Sequence, residues 1–162
     1  MKKGALIAVL LCAAVGLTAC GLNGATPEQL YDTVENVTGW LGSSQLTADG
    51  DLIGRRVRGG DAYSGAYSAA PAGVTGRDVL FGGGSVSSRV VKLEAALQTV
   101  AGTAVVRVRM NDEVVYLSPD PQGKIETELR FASGGNYVMV DYADFTGTVE
   151  MHCQTQEKED PE

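Results

Sequence analysis

Positive charge, histidine, tryptophan and cysteine are all scarce in this sequence, and each shortage narrows what the chain does. Thirteen lysines and arginines stand against 20 aspartates and glutamates, a net charge of −7. Phosphates demand a basic surface, so this acidity argues against nucleic acid as a partner. It argues equally against a polybasic grip on anionic lipid headgroups, and serves solubility first. No apolar run reaches the roughly 20 residues that a membrane-crossing helix needs. The longest, Ala5 to Leu17, follows Lys2 and Lys3 and is followed by small residues, which is the pattern of a signal peptide over residues 1–19. With His152 as the only histidine and Trp40 as the only tryptophan, catalytic pairs and flat aromatic platforms have few candidates.

The residues Leu17, Thr18, Ala19 and Cys20, with Gly21 next, put an apolar residue and two small ones immediately ahead of a cysteine. This resembles the lipobox of bacterial lipoproteins. The resemblance implies cleavage between Ala19 and Cys20, a diacylglycerol on the Cys20 sulfur, and in many cases an N-acyl chain on the new amino terminus. Small side chains let a protease reach the backbone, and a thiolate is nucleophilic enough to be alkylated. One acyl chain anchors marginally and two or three hold firmly, so the resemblance implies a protein kept on the extracytoplasmic face of a bacterial membrane. The mature chain then has 143 residues and, with Lys2 and Lys3 gone, a net charge of −9. Cys12 leaves with the signal and Cys20 carries lipid, which leaves Cys153 without a disulfide partner. Stability has to come from a core, and about 100 residues of β-sandwich bury enough apolar surface for one.

After a short tether over 20–26, "TPEQLYDTVENVTGWLG" reads as an amphipathic helix over 27–41. Thr26 is placed to cap it, Pro27 suits its first turn, and Glu28 and Gln29 complete the start signal. Leu30, Val34, Val37 and Leu41 form one stripe, and Gly42 ends it. Glu28, Asp32 and Glu35, with no lysine or arginine nearby, favour packing on the following domain over lying on a membrane. The triplet Asn36 to Thr38 is a glycosylation pattern with no role in a bacterial lipoprotein.

A polar hinge over 42–51 precedes a change of period from 3.6 to 2. In "KIETELRF", Ile125, Thr127, Leu129 and Phe131 share one face and the charged residues the other. Val91 to Leu97, Ala104 to Met110 and Phe145 to Cys153 alternate likewise, and "NYVMVDY" is apolar on both faces. Shorter strands are expected near Tyr63 to Ala69 and Asp78 to Phe81. Ala101-Gly102, Asn111-Asp112, "SPDPQG" and "ASGGN" are hairpin punctuation, and gaps this short dictate antiparallel order. Seven to nine such strands over 52–153 predict a mainly β chain, an antiparallel, jelly-roll-like β-sandwich preceded by one short helix. The charged "EKEDPE" end of 154–162 reads as a frayed tail.

"GTAVVRVRMNDEVVYLS" followed by "GGNYVMVDYADFTGTVEMH" is similar to the second half of bacterial pre-peptidase C-terminal modules and related jelly-roll binding modules. Gly135 to Tyr137 matches their Gly-aromatic start, and Phe145 to Gly147 their aromatic-x-Gly turn. The resemblance implies a non-catalytic binding fold. Those modules place paired aspartates ahead of the middle strand, where this chain has "NDEVVYL", so no metal site carries over.

Strand parity sends His152 outward and Cys153 inward, which separates the two halves of a Cys-His pair. Asp141 and Asp144 have the makings of an acid pair or of calcium ligands, though turn solvation explains them more simply. Asp49 and Asp51 resemble half a calcium loop without the remaining donors. Arg55 to Arg58 suit either an anionic partner or a charged strand edge. "FGGGS" lacks the lysine of a phosphate loop and reads as a flexible connection. Tyr63 and Tyr67 share a strand face, either as a small sugar platform or as core. No catalytic residue, metal or cofactor beyond the acyl groups on Cys20 is expected. The sequence favours an envelope lipoprotein for interaction or support, with a glycan- or peptide-binding module second and a hydrolase last. Its expected partners are the membrane and an envelope glycan or protein.

Overall fold

The computed structural model describes residues 45–156. The lipobox, the helix expected over 27–41 and the last six residues lie outside that range. Seven strands fill it: β1 (Arg55–Arg58), β2 (Gly65–Ala69), β3 (Val74–Ser85), β4 (Arg89–Met110), β5 (Glu113–Leu117), β6 (Lys124–Phe131) and β7 (Gly134–Gln156). All pairings are antiparallel.

The architecture comes from two strands much longer than the sequence suggested. β4 has 22 residues and β7 has 23, and they pair from Val90↔Gln156 to Met110↔Asn136. Their first and second halves have different outer neighbours. The first half of β4 pairs with β6 and its second half with β5. The first half of β7 pairs with β3 and its second half with β2, beyond which β1 forms the edge. One layer therefore runs β1-β2-β7-β4-β6 and the other β3-β7-β4-β5, and the long pair passes through both.

The expected hairpin at Ala101-Gly102 is instead the place where β4 bends. Register shifts fall between Thr99 and Thr103, and residues 98–103 are exposed. Gly102 takes φ +70° at the bend, and a Cβ there would run into the Asp144 carbonyl. Asp144, across from it, has φ +48°. The bend flips side-chain parity: Val91, Leu93, Ala95 and Leu97 point inward before it, and Ala104, Val106 and Val108 after it. Both sets join one core, with Leu93 opposite Cys153 in one layer and Val106 opposite Val140 in the other. Two turns expected to close hairpins, "SPDPQG" and "ASGGN", carry the chain from one layer to the other, because β5 and β6, and β6 and β7, are not paired. Asn111-Asp112 does close a hairpin, between β4 and β5, with Asn111 at φ +55°.

Three boundaries also move. The hinge is tied down from Thr47, whose amide donates to the Val79 carbonyl while its Oγ1 accepts from the Val79 amide. "FGGGS" is strand rather than loose connection. Gly82 sits so close to β7 that any side chain would strike the Asn136 carbonyl. β7 continues to Gln156, into the segment read as tail.

Candidate functional site

Tyr63 and Tyr67 form no platform, because both are buried at 2% exposure. The Tyr63 hydroxyl donates to the Gly83 carbonyl at 2.6 Å, and its ring lies 5.6 Å from that of Phe131. Tyr67 reaches across the core to the fully buried Asp78. One Asp78 carboxyl oxygen accepts from the Tyr67 hydroxyl and from the amides of Ile53 and Gly54, and the other accepts from Ile53 as well. The Tyr67 hydroxyl also meets that of Tyr142 at 2.9 Å. Burial and the Asp78 bond push the Tyr67 phenol well above its ordinary value, and burial pushes Tyr142 up to about 12. Both phenols stay protonated, and the network stitches the two layers together.

Asp141 and Asp144 are separately engaged. Asp141 accepts two bonds from the Arg77 fork, one at 2.8 Å. Asp144 sits at the bend, where its amide donates to Thr75 Oγ1 at 2.9 Å and its carboxylate accepts from the same hydroxyl. Asp49 is spent on Arg56 and Arg58. The Arg56 side chain, in the middle of "RRVR", is wholly buried and also donates to the carbonyls of Thr47, Val79 and Leu80. That arginine is an internal clamp rather than an edge charge, although β1 is the edge strand expected. Strand parity holds for the last pair: His152 is exposed and Cys153 is 1% exposed. Burial pushes the Cys153 thiol up to about 12, which makes it a poor nucleophile. No cluster of three or more metal-ligating side chains occurs among the described residues.

Two outer faces remain. Over the five-stranded layer an open groove of about 580 Å³ runs across Val57, Ala66, Glu94, Glu126, Glu150 and His152. Its charges are mixed, and two of them, Glu94 and Glu126, share one lysine. Lys92, on the same face, lies 2.7 Å from Glu94 and 3.2 Å from Glu126. Glu94 and Glu126 hold the Lys92 ammonium above its ordinary value, and Lys92 holds the Glu94 carboxyl below its own.

The four-stranded layer is different. On this side β4 carries Arg107 and Arg109, β3 carries Arg77 and Val79, β5 carries the exposed Tyr116, and β7 carries Tyr137 and Met139, which are buried at 3% and 5% exposure. The ladder sets Arg107 between Met139 and Tyr116, and Arg109 between Tyr137 and Val114. The Arg109 guanidinium lies over the Tyr137 ring, 4.9 Å from its centroid, and that of Arg107 lies 5.9 Å from the Tyr116 centroid. Among the described residues neither has a carboxylate partner, and both Nε atoms are buried without a hydrogen bond. Tyr116 is 60% exposed, one of three large apolar side chains so placed among the described residues. A cavity of about 170 Å³ opens between Gln45, Arg77, Arg107 and Arg109. Such a surface is suited to holding an oxyanion by forked hydrogen bonds and a flat group by stacking.

Sequence reasoning missed this face. Arg107 and Arg109 were legible only as the polar side of a strand. The usable signal was the two-residue turn at Asn111-Asp112, whose register puts Tyr116 opposite Arg107.

No protein-family model matches the chain, and no curated protein matches it. Among solved structures it is similar to a carbohydrate-binding module from Cellvibrio mixtus lichenase 5A in complex with cellotriose, at 8% identity and a TM-score of 0.34. The match covers 72% of this chain and 95% of that one. Overlap at this level transfers no site residue from one chain to the other.

Proposed function

We propose that the chain is a non-catalytic binding lipoprotein of a bacterial envelope, fastened through acyl chains on Cys20 to the extracytoplasmic face of a membrane. Its β-sandwich body meets an envelope glycan or protein. The anchor is supported by the run Leu17-Thr18-Ala19-Cys20 and by the positively headed apolar segment before it. The binding half rests on one observation: Arg107 and Arg109 stand without counter-charge beside an exposed tyrosine, on a protein whose net charge is −7. On the same face Arg77 is neutralised by Asp141, whereas these two arginines are not. The groups that would perform chemistry are otherwise engaged. Cys153 is buried, His152 faces away from it, and Asp141 and Asp144 are held by Arg77 and Thr75.

The anchor is tested with Cys20→Ala in the native host. The variant is expected to lose incorporation of labelled fatty acid and to leave the membrane fraction. Normal labelling of the variant overturns the assignment.

A further inference from the structure

Resting on that reading, we propose that the Arg107, Arg109 and Tyr116 face is a site for an anionic saccharide, a sugar ring bearing a carboxylate or phosphate group. Arg107 and Arg109 are two residues apart on β4 and so project from the same side of the sheet. Their guanidinium groups lie over the rings of Tyr137 and Tyr116, at 4.9 and 5.9 Å from the centroids, which limits their freedom. A pre-set fork loses little freedom when it closes on an oxyanion, which is the advantage of arginine over lysine here. The buried Nε of each has no hydrogen-bond acceptor, and an unpaired buried donor is costly. With Nε inside, the terminal nitrogens of each fork are the groups left to meet an incoming oxygen.

The space beside them selects the size of the anionic group. About 170 Å³, at ~30 Å³ per water, amounts to several waters. It admits a carboxylate or phosphate with some of its hydration, and leaves the rest of the ligand outside. Outside, the neighbouring surface is the exposed Tyr116 ring, whose flat face matches the C–H face of a pyranose. Arg77 borders the cavity but is neutralised by Asp141, so it shapes the rim without adding net charge. An acidic peptide would use the arginines but leave Tyr116 unemployed.

The experiment is affinity electrophoresis of the full-length lipidated protein in neutral-detergent micelles. The gels carry polygalacturonate, a phosphorylated mannan, uncharged dextran or polyglutamate. Retardation is expected in one or both of the charged glycans, and which one identifies the carboxylate or the phosphate as the group read. Dextran and polyglutamate are expected to give none. Arg107→Gln with Arg109→Gln should weaken retention at least about tenfold, and Tyr116→Ala several-fold. Arg107→Lys with Arg109→Lys keeps the charge and should retain weaker binding with an unchanged thermal melt, which separates lost recognition from lost folding. Equal retardation by polyglutamate overturns the saccharide assignment in favour of an acidic peptide. Absence of retardation by both charged glycans, or retention indifferent to the arginine substitutions, overturns the site. Equal retardation by dextran overturns the anionic site while leaving the binding-lipoprotein reading standing, whereas normal acyl labelling of Cys20→Ala would remove the anchor on which that reading stands.

Discussion

On the five-stranded layer Lys92 lies between Glu94 and Glu126, and Arg130 lies 4.0 Å from Glu128. On the four-stranded layer Arg107 and Arg109 lie 5.9 and 4.9 Å from tyrosine ring centroids, and among the described residues neither is ion-paired. The same two strands, β4 and β7, run through both layers, so the contrast owes nothing to a difference in backbone. It shows that net charge conceals local charge: on the four-stranded face the one carboxylate of β7, Asp141, is taken by Arg77 and none is left for Arg107 and Arg109. Exposed ion pairs contribute little stability, so the first face is compatible with solubility alone. The unpaired arginines of the second face are the ground of the proposed site.

The largest effect that breaks this comparison comes from beneath both faces. Asp78→Ala removes the acceptor for Ile53, Gly54 and Tyr67 at once. It should cost about 3 kcal/mol or more, because buried donors are left unpaired. Denaturant unfolding followed by circular dichroism would show it, and a change below about 1 kcal/mol would mean that water replaces the carboxyl.

A smaller effect is expected on the acid side. Burial pushes the Asp61 carboxyl up, but hydrogen bonds from Thr155, Ser64 and the Tyr63 amide, with Arg89 nearby, hold it below its ordinary value of 3.8. A group depressed on folding contributes stability that is present above the unfolded value and is lost as pH falls through the folded one. Thermal midpoints should therefore fall below about pH 4, and Asp61→Asn should flatten that limb. An unaltered acid limb would show that Asp61 does not pin the chain ahead of β2 to Thr155 on β7.

The smallest effect sharpens the contrast. Lys92→Gln, on the paired face, should leave both the thermal midpoint and the retention by anionic glycan unchanged. A loss of retention matching that of the arginine variants would place the ligand on the other layer.

Much of the fold was legible because alternation is local. Ile125, Leu129 and Phe131 are buried where a period of two places them, and the opposite orientations of His152 and Cys153 follow from the same rule. The continuity of β4 was not legible. A glycine with positive φ serves a hairpin and a bend equally, and only the partner strand decides between them. At Gly102 that partner is β7, some 40 residues further along. The candidate site was hidden for a related reason. That Arg107 and Arg109 face outward is written in β4, but that no carboxylate meets them depends on where Asp141 falls, and Asp141 lies beside Val105 and pairs with Arg77. The tyrosines misled in the opposite sense. Tyr63 and Tyr67 have the spacing of a platform, and nothing local announces that Asp78 and Gly83 draw their hydroxyls inward.

Because β7 is hydrogen-bonded to β2, β3 and β4, a chain emerging in sequence order cannot close either layer until its last strand has been made. Pairings of such wide sequence separation form slowly. The sandwich consequently cannot close until most of the polypeptide has been made, which leaves its apolar strand faces uncovered for the greater part of synthesis.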